Sequence, residues 1–191
     1  MALNMLAAYY SRGCDFADLF RGLRIEQDAS FREHLNRYDV IFLNMQQFLI
    51  CAKGRDITEY LEEVVVEDLR ESYGDFLNRQ GLGLAEALEK IYAKTGNQFL
   101  FLIDEWDCVM RERQEAEDLQ KQYLDFLQNL LKDQSYVALA YMTGILPVKK
   151  YGIQQQIKDR KYTQALAGYA GEILLVGIHG KMILKIKQLL W

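Results

Sequence analysis

Apolar residues recur along this chain in two rhythms, one typical of helices and one typical of buried strands. Apolar positions three or four residues apart predict helices near residues 2–10, 57–69, 84–91 and 119–131. Short unbroken apolar runs, rich in β-branched and aromatic residues, predict strands at residues 38–45, 99–103 and 136–144. Helices that alternate with unbroken apolar strands favour a parallel sheet covered on both faces. The pattern therefore predicts an α/β fold.

The pattern changes near residue 149. A further helix is predicted over residues 154–166, and two strands are predicted at residues 172–178 and 182–187. His179 and Gly180 lie between these strands and indicate a hairpin turn. Residues 1–148 carry 15 basic and 25 acidic side chains, whereas residues 149–191 carry 8 basic and 2 acidic ones. This reversal of charge marks a candidate domain boundary, or alternatively a basic helix on an acidic domain.

Composition narrows the class of protein. The chain has 191 residues, half of them hydrophobic and 26% charged, which is typical of one globular domain with a full core. Its three cysteines lack metal-ligand spacing, and two histidines make a histidine-based zinc site or a Ser-His-Asp triad improbable. No apolar run reaches the roughly 20 residues that span a bilayer, and no signal peptide is recognisable. We therefore expect a cytoplasmic protein with reduced thiols and no membrane partner.

Acidic residues crowd the end of the second predicted strand, in the sequence FLFLIDEWD. Asp104, Glu105 and Asp107 come directly after the apolar run, and parallel sheets bind ligands beyond the carboxyl ends of their strands. A carboxylate there can hold hydrated Mg²⁺ while its neighbour polarises an attacking water. We assign the first role to Asp104 and the second to Glu105. The alternative is an acidic turn or helix cap without a ligand.

Thr143 ends the third predicted strand and adds a hydroxyl at the same edge of the sheet. Such a hydroxyl can contact a γ-phosphate or the attacking water, or it can be satisfied by its own backbone. Phosphoryl transfer at such a sheet edge normally uses a glycine-rich loop and a lysine, in the form G-x-x-x-x-G-K-[ST]. The 191 residues do not contain this motif, and the run GLGL at residues 81–84 predicts only a turn between helices.

Several segments, in order and spacing, resemble one bacterial protein family: LFRGLRI, YDVIFLNMQQF, KTGNQFLFLIDEWD and YLDFLQNLLKDQSYVALAYMTGILPVKKYG. The family has an AAA-ATPase-like domain, often followed by a PD-(D/E)XK-type nuclease domain. The resemblance implies ATP and Mg²⁺ as cofactors. It implies that Asp104 is the metal-associated acid of the Walker B strand and Glu105 the catalytic acid. It further implies that Asp107 is the third acid of the cofactor site and Thr143 a sensor that takes part in catalysis.

The resemblance also implies a partial protein. It assigns residues 1–152 to an AAA-like P-loop NTPase domain, a three-layer fold with a mainly parallel sheet, without its first strand and phosphate loop. The segment QIKDRKYTQALAGYAGEILLVGI resembles the end of the nuclease domain, so residues 153–191 are expected to be a remnant of it. We therefore expect an N-terminally truncated, internally deleted and catalytically incompetent ATPase. The alternative is a non-catalytic module that pairs with an intact homologue or binds nucleic acid through its basic tail.

Overall fold

The structure is a computed structural model that describes residues 2–13 and 15–145, together with the backbone of residues 175–176 and 183–184. The helices and strands, in chain order, are α1 (Ala2–Tyr10), α2 (Phe31–His34), β1 (Asp39–Asn44), α3 (Met45–Cys51), α4 (Ile57–Tyr73), α5 (Leu84–Thr95), β2 (Phe99–Asp104), α6 (Cys108–Glu112), α7 (Glu117–Leu131), β3 (Val137–Met142), β4 (Leu175–Val176) and β5 (Ile183–Leu184). Short 3-10 helices lie at Ala17–Phe20, Arg24–Gln27 and Asp75–Leu77.

Strands β1, β2 and β3 form a parallel sheet with β2 in the middle. The register pairs Asn44 with Asp104 at the ends of β1 and β2, and Ile103 with Met142 near the ends of β2 and β3. The carboxyl ends of all three strands thus lie side by side at one end of the sheet. The prediction of a parallel sheet inside an α/β fold is confirmed, and it places the residues that follow β2 and β3 side by side.

Helices cover both faces of β2, as an unbroken apolar strand requires. One face of β2 carries Phe99, Phe101 and Ile103, which belong to a large buried cluster with residues of α4, α5 and α7. The other face carries Leu100 and Leu102, which pack with Leu3 of α1. The five residues Phe99 to Ile103 are almost completely buried. Burial on both faces gives the strand end at Asp104 a rigid support.

Capping residues define the start of α4 and the end of α5. Asp56 caps α4 by accepting hydrogen bonds from the N–H groups of Thr58 at 2.8 Å and Glu59 at 3.1 Å, a contribution of about 1 kcal/mol. Gly96 ends α5 in the left-handed conformation with φ of 71°, directly before β2. The end of α5 at Gly96 fixes where the chain turns back into β2.

Two features of the chain differ from the pattern-based predictions. The first strand ends at Asn44, not at residue 45, because the Asn44 side chain accepts a hydrogen bond from Gln47 N–H at 2.9 Å and caps α3 at once. The turn after β2 contains a second unpredicted helix, α6. Both helices are too short for hydrophobic periodicity to reveal them.

The two short strands beyond residue 145 pair with each other. Strands β4 and β5 are antiparallel, with Leu175 opposite Leu184, in agreement with the predicted hairpin. In the described backbone they form a separate two-stranded sheet, and β4 lies close to β3. The predicted helix at residues 154–166 lies outside the described residues, as does most of the predicted nuclease-like remnant, residues 153–191. No described helix has the length and apolar character needed to cross a membrane.

Candidate functional site

A hydrogen bond joins the polar ends of the two neighbouring strands β2 and β3. The Thr143 hydroxyl donates to Oδ1 of Asp104, rather than bonding its own backbone. The Thr143 N–H donates to the Ile103 carbonyl oxygen at 2.8 Å, and the Thr143 carbonyl oxygen accepts from Trp106 N–H at 3.0 Å. These contacts hold the two strand ends together, with the Asp104 and Thr143 side chains partly exposed.

Glu105 turns the chain sharply at the end of β2. Its φ of 54° lies in the left-handed region, which costs a non-glycine residue about 1–2 kcal/mol. The Glu105 carbonyl oxygen accepts a hydrogen bond from Cys108 N–H at 2.9 Å, which closes the turn into α6. The Glu105 carboxylate forms an ion pair with Arg111 of α6, and about a third of the Glu105 side chain remains exposed. The second acid is therefore oriented by a cation six residues further along.

Asp107 points into the protein and is completely buried. Its Oδ2 accepts a hydrogen bond from Ile145 N–H at 3.0 Å, and its Oδ1 lies 3.6 Å from Nε of Arg111. Gly144 is packed against the same carboxylate, because an added Cβ would lie 2.8 Å from Asp107 Oδ1 and 2.8 Å from Trp106 Nε1. Asp107 thus anchors the segment after β3 to the acidic turn after β2.

Buried side chains form the floor of the turn. The Tyr123 hydroxyl of α7 donates to the Trp106 carbonyl oxygen at 2.7 Å, and burial raises the pKa of Tyr123. Burial also raises the pKa of the Cys108 thiol to about 11 from its usual 9, with a further contribution from the Asp107 charge and an opposing one from Arg111. Cys108 is therefore protonated at neutral pH, so it is an inert core thiol rather than a nucleophile.

A second polar cluster lies at the opposite end of the sheet, where β1 begins. Nη1 of Arg12 lies 3.7 Å from Oδ2 of Asp39, and Tyr73 of α4 stands beside them. Burial and a hydrogen bond to Asp39 raise the pKa of Tyr73 to about 12 from its usual 10. These residues line a cavity of about 660 Å³ along the outer side of β1. The sequence patterns do not single out this cluster, since its members are far apart in the chain.

Comparison with known proteins decides the family. A family model described as Predicted AAA-ATPase matches residues 1–154. The chain belongs to this family. No curated protein and no solved structure matches the sequence. The matched segment contains the whole parallel sheet and the strand-end acids, so the candidate site of this AAA-ATPase-like chain lies inside the family domain.

Nucleotide and Mg²⁺ binding is the family-level expectation for an AAA-ATPase-like chain, and the oxygen donors at the strand ends fit a hard cation. Asp104 offers a partly exposed carboxylate and Thr143 a hydroxyl. Within residues 2–13 and 15–145, no group of three or more His, Cys, Asp or Glu side chains is placed to hold a metal ion. Mg²⁺ usually binds through one or two carboxylates and completes its shell with waters and substrate phosphates.

The structure brings Asp104 and Thr143 together, orients Glu105 through Arg111 and buries Asp107. Sequence reasoning did not find Arg111, because the five-residue helix α6 is too short to show a periodic pattern. The one available signal was a basic residue four positions after Asp107 and six after Glu105. The close fit of Gly144 was also missed, since only the folded chain brings it against Asp107.

Proposed function

We propose that the strand ends of this chain form the acidic half of an ATP site that works with Mg²⁺. In this proposal Asp104 holds the metal, Glu105 polarises the attacking water and Thr143 contacts the γ-phosphate or that water. The observation that carries the proposal is the hydrogen bond from Thr143 to Asp104, which joins polar residues of two neighbouring strands at the sheet edge where ligands bind. Asp107 supports the same turn from inside the protein.

When bound, Mg²⁺ would supply charge neutralisation for the transferred phosphoryl group. The chain's own residues supply the rest of the chemistry. Asp104 would hold the ion by its carboxylate, while the Thr143 hydroxyl donates to that carboxylate and keeps it in one orientation. Glu105 would accept hydrogen bonds from a water, and Arg111 sets the direction of its carboxylate.

We further propose that the 191-residue polypeptide, tested by itself, turns over little or no ATP. Catalysis of phosphoryl transfer depends mainly on backbone amides and a lysine that stabilise the phosphates, and the G-x-x-x-x-G-K-[ST] motif does not occur in these residues. Asp104 and Glu105 would then indicate the reaction of the family, and this polypeptide would not itself catalyse it. The nuclease-like remnant at residues 153–191 remains a proposal that rests on sequence resemblance.

Two measurements test these proposals. Mg-ATP turnover by the 191-residue chain is expected to equal that of its Glu105→Gln variant, and a rate that depends on Glu105 would contradict the proposed incompetence. Mg²⁺ at millimolar concentration is expected to raise the Tm of the chain, because a ligand that binds only the folded state stabilises it. Asp104→Asn should abolish this rise, whereas Asp125→Asn, the same change on the exposed side of α7, should preserve it. A rise that survives Asp104→Asn would refute the metal assignment.

The exposed Leu139 side chain of β3 favours a second candidate function, a non-catalytic interaction module. Within the described residues β3 pairs only with β2, and its Leu139 side chain is 43% exposed. Such an edge can pair with a strand of another chain, here a homologous full-length protein. Co-elution with that homologue, lost after Leu139→Lys, would support this candidate. Separate elution of the two unmodified chains would exclude it. Nucleic-acid binding by the basic tail would instead show salt-dependent DNA affinity that disappears without residues 149–191.

A further inference from the structure

Arg111 is shared between two acids of the strand-end turn. Its Nη2 contacts Oε2 of Glu105, and its Nε lies 3.6 Å from Oδ1 of Asp107. Three-quarters of the Arg111 side chain is shielded from solvent, and three of the five residues of its helix α6 are buried. In the described part of the chain, Arg111 is the cation that pairs with these acids, while Asp104 has the Thr143 hydroxyl as its partner.

This distribution of partners separates the three carboxylates by role. Asp107 is buried beside Arg111, and Glu105 is held by the Arg111 guanidinium. A guanidinium and a divalent cation compete for the same carboxylate oxygens, because each stabilises negative charge at short range. Only Asp104 is therefore left in a neutral hydrogen bond, ready to contact an ion.

We propose that Arg111 is a positioning residue that withholds Glu105 from the metal, so that Asp104 alone contacts the ion and Glu105 is kept for the attacking water. This inference rests on the proposed function, since it describes how the same acids divide their work. Without Arg111, Asp104 and Glu105 are adjacent uncompensated carboxylates that can chelate one cation together. Arg111 thereby prevents a tight metal complex in which Glu105 binds the ion and is no longer available to the attacking water.

The backbone of Glu105 gives this role a structural basis. Its left-handed conformation is unfavourable for a residue with a Cβ, and it persists only when surrounding contacts impose it. The ion pair with Arg111 is one such contact, and the hydrogen bond from Cys108 N–H to the Glu105 carbonyl oxygen is another. Removing the guanidinium releases the side chain while the backbone hydrogen bond still holds the turn.

The test is the affinity of the 191-residue chain for Mn²⁺, without nucleotide, by isothermal titration calorimetry. Arg111→Gln is expected to bind Mn²⁺ about tenfold more tightly than the unmodified chain, because Glu105 is then free to chelate the ion together with Asp104. Adding Arg111→Gln to Glu105→Gln should give no gain over Glu105→Gln alone, whereas a purely electrostatic effect of the lost charge would persist in that double variant. Arg113→Gln, the same change at an exposed arginine two residues further along, should leave the affinity unchanged.

An unchanged affinity in folded Arg111→Gln would overturn the inference, as would a gain that persists in the double variant or appears equally in Arg113→Gln. If Arg111→Gln does not fold, Arg111→Lys replaces it, since an ammonium group lacks the planar fork that spans both acids. Arg111→Lys is then expected to give a smaller, Glu105-dependent gain, and no gain would refute the role. Failure of the proposed function has a different signature, because the gain would then survive Asp104→Asn while still requiring Glu105.

Discussion

The parallel sheet carries an arginine–aspartate pair at each of its two ends. At the carboxyl end, Asp107 is completely buried, accepts a hydrogen bond from Ile145 N–H at 3.0 Å and lies beside Arg111. At the amino end, Arg12 and Asp39 lie 3.7 Å apart, their side chains are 45% and 21% exposed, and they face a cavity of about 660 Å³. The two pairs have the same chemistry but very different surroundings.

Surroundings decide what each pair contributes to stability. A solvent-exposed ion pair is worth about 0–1 kcal/mol, whereas removing one partner of a buried pair costs about 3–5 kcal/mol because the remaining charge loses its compensation. The carboxyl-end pair is also connected to backbone groups of both neighbouring strand ends, through Ile145 and the turn that begins at Glu105. We therefore interpret the carboxyl end as a preorganised site and the amino end as a loosely packed groove.

The difference between the two ends is tested most directly by replacing the aspartate at each end with alanine. Asp107→Ala should lower the free energy of unfolding by about 3 kcal/mol, because it removes the acceptor of Ile145 N–H and uncovers Arg111. Asp39→Ala should lower it by about 1 kcal/mol or less, since Arg12 can turn to solvent and water in the cavity can replace the carboxylate beside Tyr73. Urea unfolding at pH 7.5 measures both. Equal losses, or a larger loss for Asp39→Ala, would show that burial does not separate the two ends.

A smaller effect is expected from crowding the carboxyl end. Gly144→Ala places a Cβ 2.8 Å from Asp107 Oδ1 and from Trp106 Nε1, so the turn must shift at a cost of about 2 kcal/mol. Gly83→Ala is the matched control, because its Cβ would meet the nearest atom, Glu62 Oε1, at an ordinary 3.5 Å. The control should stay within about 0.5 kcal/mol of the unmodified chain.

The two carboxyl-end changes should also be coupled. Asp107→Ala removes one of the atoms that the new Cβ would overlap, so the cost of Gly144→Ala should fall in that background by more than about 0.5 kcal/mol. Strictly additive losses would mean that Gly144 and Asp107 do not share the packing seen here.

The strands and their ends were the predictable part of this molecule. Each strand is an unbroken apolar run, and helices long enough to show periodicity separate β1 from β2 and β2 from β3. Because parallel strands end at one sheet edge, the proximity of Asp104 and Thr143 also followed from the pattern. The family match over residues 1–154 supports the resemblance to an AAA-ATPase-like domain.

The division of roles among the acids was not predictable, because it depends on an irregular turn. A left-handed Glu105 and a five-residue helix place Arg111 beside Glu105 and Asp107, and neither feature has a hydrophobic period. The amino-end cluster was equally hidden, since Arg12, Asp39 and Tyr73 meet only after α1, β1 and α4 have packed together. Long-range side-chain contacts of this kind arise from tertiary packing and have no local signature.

The smallest expected difference concerns one tyrosine hydroxyl at each end. Tyr123→Phe removes a buried hydrogen bond of 2.7 Å to the Trp106 carbonyl oxygen, beneath the acidic turn, and should lower the free energy of unfolding by about 1–1.5 kcal/mol. Tyr73→Phe removes a hydroxyl beside Asp39 that faces the open cavity, where water can replace it, so we expect about 0.5 kcal/mol or less. Both variants keep the aromatic ring, and urea unfolding at pH 7.5 compares them directly.

Alkaline pH provides a second test of Tyr73. Burial and Asp39 raise the pKa of Tyr73 to about 12 in the folded state, from 10 in the unfolded state. A raised pKa means that the stability from this group is complete below pH 10 and is lost as the pH rises through 12. The chain should therefore lose stability more steeply above pH 10 than Tyr73→Phe does. Parallel pH profiles would show that the Tyr73 hydroxyl titrates as it does in the unfolded chain, so that the amino-end groove is open enough for water to cancel the influence of Asp39.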